Sequence, residues 1–150
     1  MNYAEEIEAN EDFYATVAPQ LGAGLDTGWD IVVLTDYMAA RVVRAGWIEA
    51  IDPAATPTAH ANVRDELRGL DWDPDMAFHF PWQSGATGVG YNVVSTGRDL
   101  TMVEDLFDPA FKGKVTLLSG YADSFSLIGL MLKAKGQIAN EPAGMTFEDA

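Results

Sequence analysis

The sequence predicts an α/β fold, in which buried strands alternate with amphipathic helices. Residues 29–34 (WDIVVL) are apolar except for Asp30 and rich in β-branched side chains, the pattern of a strand covered on both faces. A second run of this kind, residues 114–118 (KVTLL), precedes another helical stretch. Because ligands of open α/β sheets bind beyond the carboxyl ends of strands, the residues after these two runs are the first candidates for a site.

The first strand is followed directly by the signals of a helix. Thr35 and Asp36 are side chains that can cap a helix N-terminus, Met38 and Val42 fall on one apolar face, and Gly46 is a typical helix end. The turn at residues 35–37 therefore joins a strand end to a helix start.

Three further helices follow from apolar spacing and capping residues. Asn10 can cap a helix that runs to about residue 21, and residues 61–70 have helical spacing. The third helix begins at Asp123 and runs to about residue 135. It is apolar on most faces, so we expect it to pack against more protein on several sides.

The composition describes an acidic, core-forming chain. Hydrophobic residues make up 48% of the 150 positions, enough to bury a core. The formal net charge of −14 disfavours a nucleic-acid partner, because binding there requires cations that neutralise phosphates. The same charge suits a cationic partner, although surface acid more often only keeps a protein soluble.

Several other classes of site are disfavoured. With no cysteine, the chain has no disulfide, thiol nucleophile or cysteine-bound metal. Its two histidines, His60 and His79, lack the spacing of a helical zinc motif, and Ser84 does not lie in a GxSxG nucleophile motif. No apolar run approaches the ~20 residues of a membrane helix.

The ends of the chain suggest a piece of a longer protein. Residues 146–149 (TFED) resemble the start of a helix, yet the chain stops one residue later. Residues 2–6 are polar and acidic, unlike the basic start of a signal peptide.

Three stretches, in this order, resemble a known family. WDIVVLTDYMAARVVRAGWIEAID, PWQSGATGVGYN and VEDLFDPAFKGKVTLLSGYADSF resemble the extracellular solute-binding proteins of ABC transporters, in particular the spermidine/putrescine-binding family. The segment LFDPAFKGKV, followed by a strand and an acidic helix start, is the most specific of them.

The resemblance implies a type II periplasmic-binding-protein fold, with two lobes built on mixed sheets and a ligand held in the cleft. Residues 1–92 would be part of the first lobe, without its first strand, and residues 93–150 would begin the second lobe. It also implies a periplasmic or other extracytoplasmic location, no cofactor, ABC permease subunits as partners, and a monomer when full-length. Ligand would be captured by hinge closure.

The turn at Thr35, Asp36 and Tyr37 resembles the ligand loop of the family's first lobe. In that loop a hydroxyl bonds a ligand amine, and the tyrosine lies along the methylene chain, where its face also attracts an ammonium group. The alternative is structural: Thr35 or Asp36 only caps the helix, and Tyr37 only packs.

Asp123 resembles the family's acidic residue that pairs with a ligand amine, and Tyr121 lies beside it. The alternative is that Asp123 only caps its helix. The family often has a second acid three positions before this one and an arginine between the two, where this chain has Gly120 and Ala122. The loss of one carboxylate leaves the exact polyamine open.

Trp82 and Ser84 precede the crossing strand of the implied fold and would line the cleft, with Trp82 stacked on the ligand. The alternative for Trp82 is a buried position in the first lobe.

The predicted function is therefore capture of a small cationic solute, such as spermidine or putrescine, for an ABC importer. The alternatives are a solute-binding protein of the same fold for iron, thiamine or an organic anion, and an enzyme on that fold. The enzyme is the least supported, because the sequence shows no paired catalytic carboxylates with a histidine.

Overall fold

The computed structural model describes residues 7–118 and 120–139 of the chain. The chain divides into two compact units between Gly85 and Ala86, and each unit is described by itself. The lobe boundary that the resemblance implies near residue 92 stays a prediction. The first unit has helices α1 (Asn10–Gly22), α2 (Asp36–Arg44) and α3 (Pro57–Asn62) and a 3₁₀ helix (Asp65–Leu67). The second has α4 (Val93–Thr96), 3₁₀ helices Val103–Phe107 and Pro109–Phe111, and α5 (Tyr121–Ala134).

Helix α1 confirms the predicted first helix, with one difference at its start. Its N-cap residue is Ala9, and the side chain of Asn10 instead accepts a hydrogen bond from the backbone N–H of Thr35. Further along α1, the Tyr14 ring stacks on Trp47, with ring centroids 5.8 Å apart. The Arg41 guanidinium of α2 lies 4.1 Å from the centroid of the Tyr14 ring. These contacts pack α2 and the segment after it against α1.

Helix α2 also forms where the sequence predicts it. Met38 is fully buried and Val42 is 5% exposed, so the predicted apolar face is the one that faces the core. Gly46 ends the helix in the left-handed region at φ +72°, where a side chain would be strained. Its N–H donates to the carbonyl of Val43, and that of Trp47 donates to the carbonyl of Val42.

The predicted strands are not formed in the described part of the chain. Residues 29–34 and 114–118 have no regular secondary structure. Among the described residues, the β-pairing found is the isolated bridge between Leu70 and Asp73. The expectation that residues 29–34 are covered on both faces is wrong, since Ile31 is 70% and Val33 53% exposed. A strand needs a neighbour to accept its hydrogen bonds, and parallel neighbours are far away in sequence. The mixed sheets of the implied fold stay a prediction.

The helix predicted at residues 61–70 is wrong in position. Helix α3 begins at Pro57, whose fixed φ suits the first turn of a helix, and it ends before Val63, which is extended. The apolar spacing at Val63, Leu67 and Leu70 is instead spread over a short 3₁₀ helix and a turn.

A buried carboxylate organises the loop after this segment. Asp73 is 2% exposed and accepts hydrogen bonds from the backbone N–H groups of Ala77 (2.8 Å) and Phe78 (2.9 Å) and from His79 Nδ1 (2.7 Å). Burial raises the pKa of Asp73, but the bonds from His79, Phe78 and Ala77 outweigh it, so the pKa lies below the ordinary value of 3.8. The Trp72 ring covers the imidazole, with centroids 4.5 Å apart.

The second unit is held by an arginine between two aspartates. Arg98 Nη1 donates to Asp105 (2.7 Å) and Nη2 donates to Asp108 (3.1 Å). Asp105 also accepts from the backbone N–H groups of Thr101 and Met102. The Arg98 bond, followed by these backbone bonds, lowers the pKa of Asp105 to about 2.

Helix α5 packs against the 3₁₀ helix Val103–Phe107. Lys135 Nζ donates to Glu104 Oε1 at 2.7 Å and so adds an ion pair between the two elements. Among the helices in the described residues, we find none that is long and apolar enough to span a membrane.

Replacing Asp73 with alanine is expected to destabilise the first unit by about 3 kcal/mol, because buried N–H donors would lose their acceptor. Urea unfolding followed by tryptophan fluorescence measures this, since Trp72 lies against His79. Asp75→Ala is the matched control: Asp75 lies in the same loop and is exposed, so its loss should change stability by about 0.5 kcal/mol or less. Equal effects of the two variants would contradict the role given to Asp73.

The ion pair between Asp105 and Arg98 should stop stabilising the second unit only in strong acid. The folded-state pKa is lowered to about 2 from 3.8, so the ion pair stabilises fully above 3.8 and fades as the pH falls towards about 2. The stability difference between the wild type and Asp105→Asn should therefore be constant from pH 7 to about 4 and shrink below it. Denaturant titrations at each pH measure it. A difference that disappears already at pH 5 would contradict the lowered pKa.

Candidate functional site

The predicted turn of the first unit lies at the start of α2. Thr35 is the N-cap residue and is exposed, and its side chain makes no capping hydrogen bond. Its carbonyl instead accepts from the N–H groups of Met38 and Ala39. Thr35 therefore holds the N-cap position that the structural alternative gave it, but its side chain does not make the capping hydrogen bond.

The Asp36 carboxylate pairs with a backbone N–H group at the N-terminus of α2. Its Oδ1 accepts from the backbone N–H of Tyr37 at 2.7 Å, and it is the acidic residue in the first turn of α2. A helix N-terminus attracts anions through its unpaired N–H groups and its dipole. Because a carboxylate of the chain already occupies this position, the turn offers negative charge to its surroundings rather than an open anion site.

Two residues of α1 hold this turn. Asn10 Oδ1 accepts from the backbone N–H of Thr35 at 3.1 Å, and the Tyr37 hydroxyl donates to Glu11 Oε1 at 2.6 Å in a partly buried position. The Tyr37 ring is therefore oriented by a charge-assisted hydrogen bond, the stronger kind. The turn is fixed at its start through the backbone and at its end through the side chain.

Trp82 and Ser84 lie in a segment without regular secondary structure, close to the end of the first unit. Trp82 is 82% exposed, so the alternative of a buried tryptophan is wrong. Ser84 is exposed as well. An exposed indole is free to stack on a ligand chain, and the structure gives these two residues no further role.

In the second unit, Asp123 lies in the first turn of α5 but does not cap it. The N-cap residue is Gly120, three positions earlier, so the capping alternative for Asp123 is wrong. Asp123 is exposed, and its Oδ1 accepts from the Thr87 hydroxyl at 3.0 Å. The helix dipole favours an acidic residue at this position.

Tyr121 is the first residue of α5 and is 49% exposed. Its ring lies edge-on to that of Phe125, with centroids 6.4 Å apart. Gly120 contributes no side chain, and Asp123 is the acidic residue in the first turn of α5. The start of α5 thus combines one carboxylate with an exposed aromatic ring.

Both candidate turns suit a ligand that donates hydrogen bonds. Carboxylates only accept, and an aromatic face attracts ammonium groups and covers methylene groups. Across the described ranges, no cluster of three or more histidine, aspartate or glutamate side chains could hold a metal ion. Each turn therefore presents hydrogen-bond acceptors and an aromatic ring, groups that suit a cationic ligand.

Sequence reasoning missed the residues that support the two turns. Glu11 lies 26 residues before Tyr37, and Thr87 lies 36 residues before Asp123, so no local pattern connects the partners. The sequence singles out Asn10, but as a cap of its own helix and not as the hydrogen-bond partner of Thr35. Glu11 and Asp12 lie in the first turn of α1, where the helix dipole favours acidic residues in general, so their presence does not indicate a tyrosine partner.

Comparison with known proteins supports a single family. No family model matches the chain, and no solved structure matches it. Three curated relatives are each 27% identical to it: "Spermidine/putrescine-binding periplasmic protein 1" of Haemophilus influenzae and "Spermidine/putrescine-binding periplasmic protein" of Escherichia coli K12 and of Salmonella typhimurium. The similarity covers 122 residues, or 81% of this chain, for the first protein and 121 residues, or 80%, for the other two.

The matched region is 33% of the length of each relative, so the chain spans about a third of these proteins. The relatives are named as binding proteins. Their names agree with the family that the three sequence stretches indicate, and the predicted resemblance is confirmed: this chain is similar to the spermidine/putrescine-binding periplasmic proteins.

Proposed function

We propose that this protein is the solute-binding component of an ABC importer and captures a small cationic solute, a polyamine such as spermidine or putrescine. It acts outside the cytoplasm, in the periplasm or at the cell surface, and delivers its ligand to membrane permease subunits. Binding and release need no covalent chemistry, so no enzymatic step is part of the proposal.

The observation that carries the proposal is the similarity to relatives named for spermidine and putrescine binding, which extends over four fifths of the chain. The two candidate turns lie in different units, so the similarity bears on both of them only if it extends over both units. A match of 121 or 122 residues is longer than either unit, because the chain divides after residue 85 of 150. The relatives therefore resemble both units.

The geometry of the first turn supports a cationic ligand. The exposed Thr35 hydroxyl, the Asp36 carboxylate and the Tyr37 ring are consecutive, and Glu11 adds a second carboxylate beside the Tyr37 hydroxyl. An ammonium group donates to oxygen acceptors, and the methylene chain of a polyamine packs against an aromatic ring. Asp123 is the corresponding contact for an ammonium group in the second unit.

One observation favours a second candidate function: a solute-binding protein of the same fold that binds a different small cation. Gly120 begins α5 without a side chain, where the family often has an acid. A ligand held at α5 then meets the single carboxylate of Asp123, which suits one ammonium group better than two. A monoamine or a singly charged solute is the ligand class of this second candidate.

Titration calorimetry with putrescine and spermidine tests the main proposal, with 1-butylamine as the monoamine. The wild type should bind at least one diamine or triamine more tightly than 1-butylamine. Asp123→Asn should weaken that binding by roughly tenfold to a hundredfold, because a hydrogen bond to a charged group contributes about 1.5–3 kcal/mol.

Asp99→Asn is the matched control, since it removes one exposed acid of the same unit outside the candidate turn, and the asparagine oxygen can still accept from the Tyr91 hydroxyl. Its affinity should equal that of the wild type within about twofold. Absence of heat with every polyamine would refute the main proposal, and tighter binding of 1-butylamine would favour the second candidate.

Trp82 should report on the ligand if its exposed ring stacks on the polyamine. At 82% exposure its fluorescence is open to acrylamide, whereas Trp72 and Trp47 are partly covered. Saturating polyamine should reduce acrylamide quenching of the wild type, and Trp82→Phe should show no such protection. Protection that persists in Trp82→Phe would assign the ligand contact to another tryptophan.

A further inference from the structure

The bond between Tyr37 and Glu11 has a direction that determines what the tyrosine can offer a ligand. A carboxylate only accepts hydrogen bonds, so at 2.6 Å the phenolic proton lies towards Glu11 Oε1. To any further group, the phenolic oxygen can then offer only lone pairs. A tyrosine held in this way accepts from an ammonium group and cannot donate to a carboxylate or phosphate.

The surroundings keep this direction fixed. The bond is partly buried, where it is less weakened by competing water, and Glu11 belongs to the first turn of α1, where the dipole favours the charged carboxylate. Asn10, the preceding residue, accepts from Thr35 N–H and so keeps the turn against the same end of α1. These contacts favour the orientation in which the phenolic proton lies towards Glu11.

We propose that Glu11 is a positioning residue that makes the Tyr37 hydroxyl a hydrogen-bond acceptor and thereby selects amine ligands over acidic ones. The proposal rests on the proposed polyamine-binding function. It assigns specificity to a residue that acts through Tyr37, and it explains how a turn at a helix N-terminus, which by itself favours anions, discriminates in favour of cations.

Glu11→Gln tests this role with little change of shape. The glutamine carbonyl can still accept from Tyr37, but its amide can also donate, which releases the phenolic proton to face outward. The ligands are putrescine and 4-aminobutanoate, which differ in having an ammonium or a carboxylate at one end. Affinity for putrescine should fall about tenfold, and the preference for putrescine over 4-aminobutanoate should fall with it.

Asp12→Asn is the matched control, because Asp12 is the neighbouring acid in the same helical turn and is exposed. It removes the same charge without touching the tyrosine hydroxyl and should leave the preference unchanged. Thermal unfolding of both variants shows whether the fold is kept. If the Glu11→Gln protein is unstable, Tyr37→Phe measures the loss of the acceptor directly and should lower the same preference.

A double-mutant cycle separates positioning from long-range charge. If Glu11 acts through Tyr37, Glu11→Gln should have almost no further effect on selectivity in a Tyr37→Phe background. Additive effects, or an equal change in Asp12→Asn, would overturn the role of Glu11 while leaving polyamine binding in place. No polyamine binding by the wild type would overturn the proposed function and this inference together, so the two failures are distinct.

Discussion

Two hydrogen bonds between the start of α1 and the turn before α2 are the constraint on which the candidate site of the first unit depends. They join residues 25 and 26 positions apart, Asn10 to Thr35 and Glu11 to Tyr37. One uses the backbone and the other a side chain, so the turn is fixed in both position and orientation. The packing of Tyr14 on Trp47, with Arg41 above it, holds the two helices together behind this contact. A site built on helix ends supported in this way is more rigid than one on an unsupported loop.

The acidic composition has a structural use that the net charge alone does not reveal. Asp36, Asp73 and Asp105 each accept hydrogen bonds from backbone N–H groups of their own segment. These carboxylates satisfy donors that helices and sheets would otherwise satisfy, which matters in a chain whose described part has little β-pairing. The acidic residues behind the net charge of −14 therefore have two kinds of position. Some shape loops, and others, such as Asp123, lie at the surface.

The sequence predicted α1, α2 and α5 because their signals are local: apolar spacing and, for α2, a glycine in the left-handed region. The strands could not be predicted in the same way, because a strand needs a hydrogen-bonded partner strand that the local sequence does not specify. At the site, Thr35, Asp36 and Tyr37 were found from the strand–helix pattern and the family resemblance. Glu11 and Thr87 were missed because hydrogen bonds across 26 and 36 residues leave no periodic trace. The wrong cap at Asp123 arose because Gly120, with no side chain, gave no signal as an N-cap residue.

The loop around Asp73 has a consequence for the dynamics of the first unit. The N–H groups of Ala77 and Phe78 lie outside any helix or strand, yet both donate to a carboxylate that is almost fully buried. Amide protons exchange with solvent when their hydrogen bonds open, whatever the acceptor is. Slow exchange in this unit should therefore extend beyond its helices into an irregular segment. That segment opens as one cooperative step, because a single side chain holds both amides and the imidazole of His79.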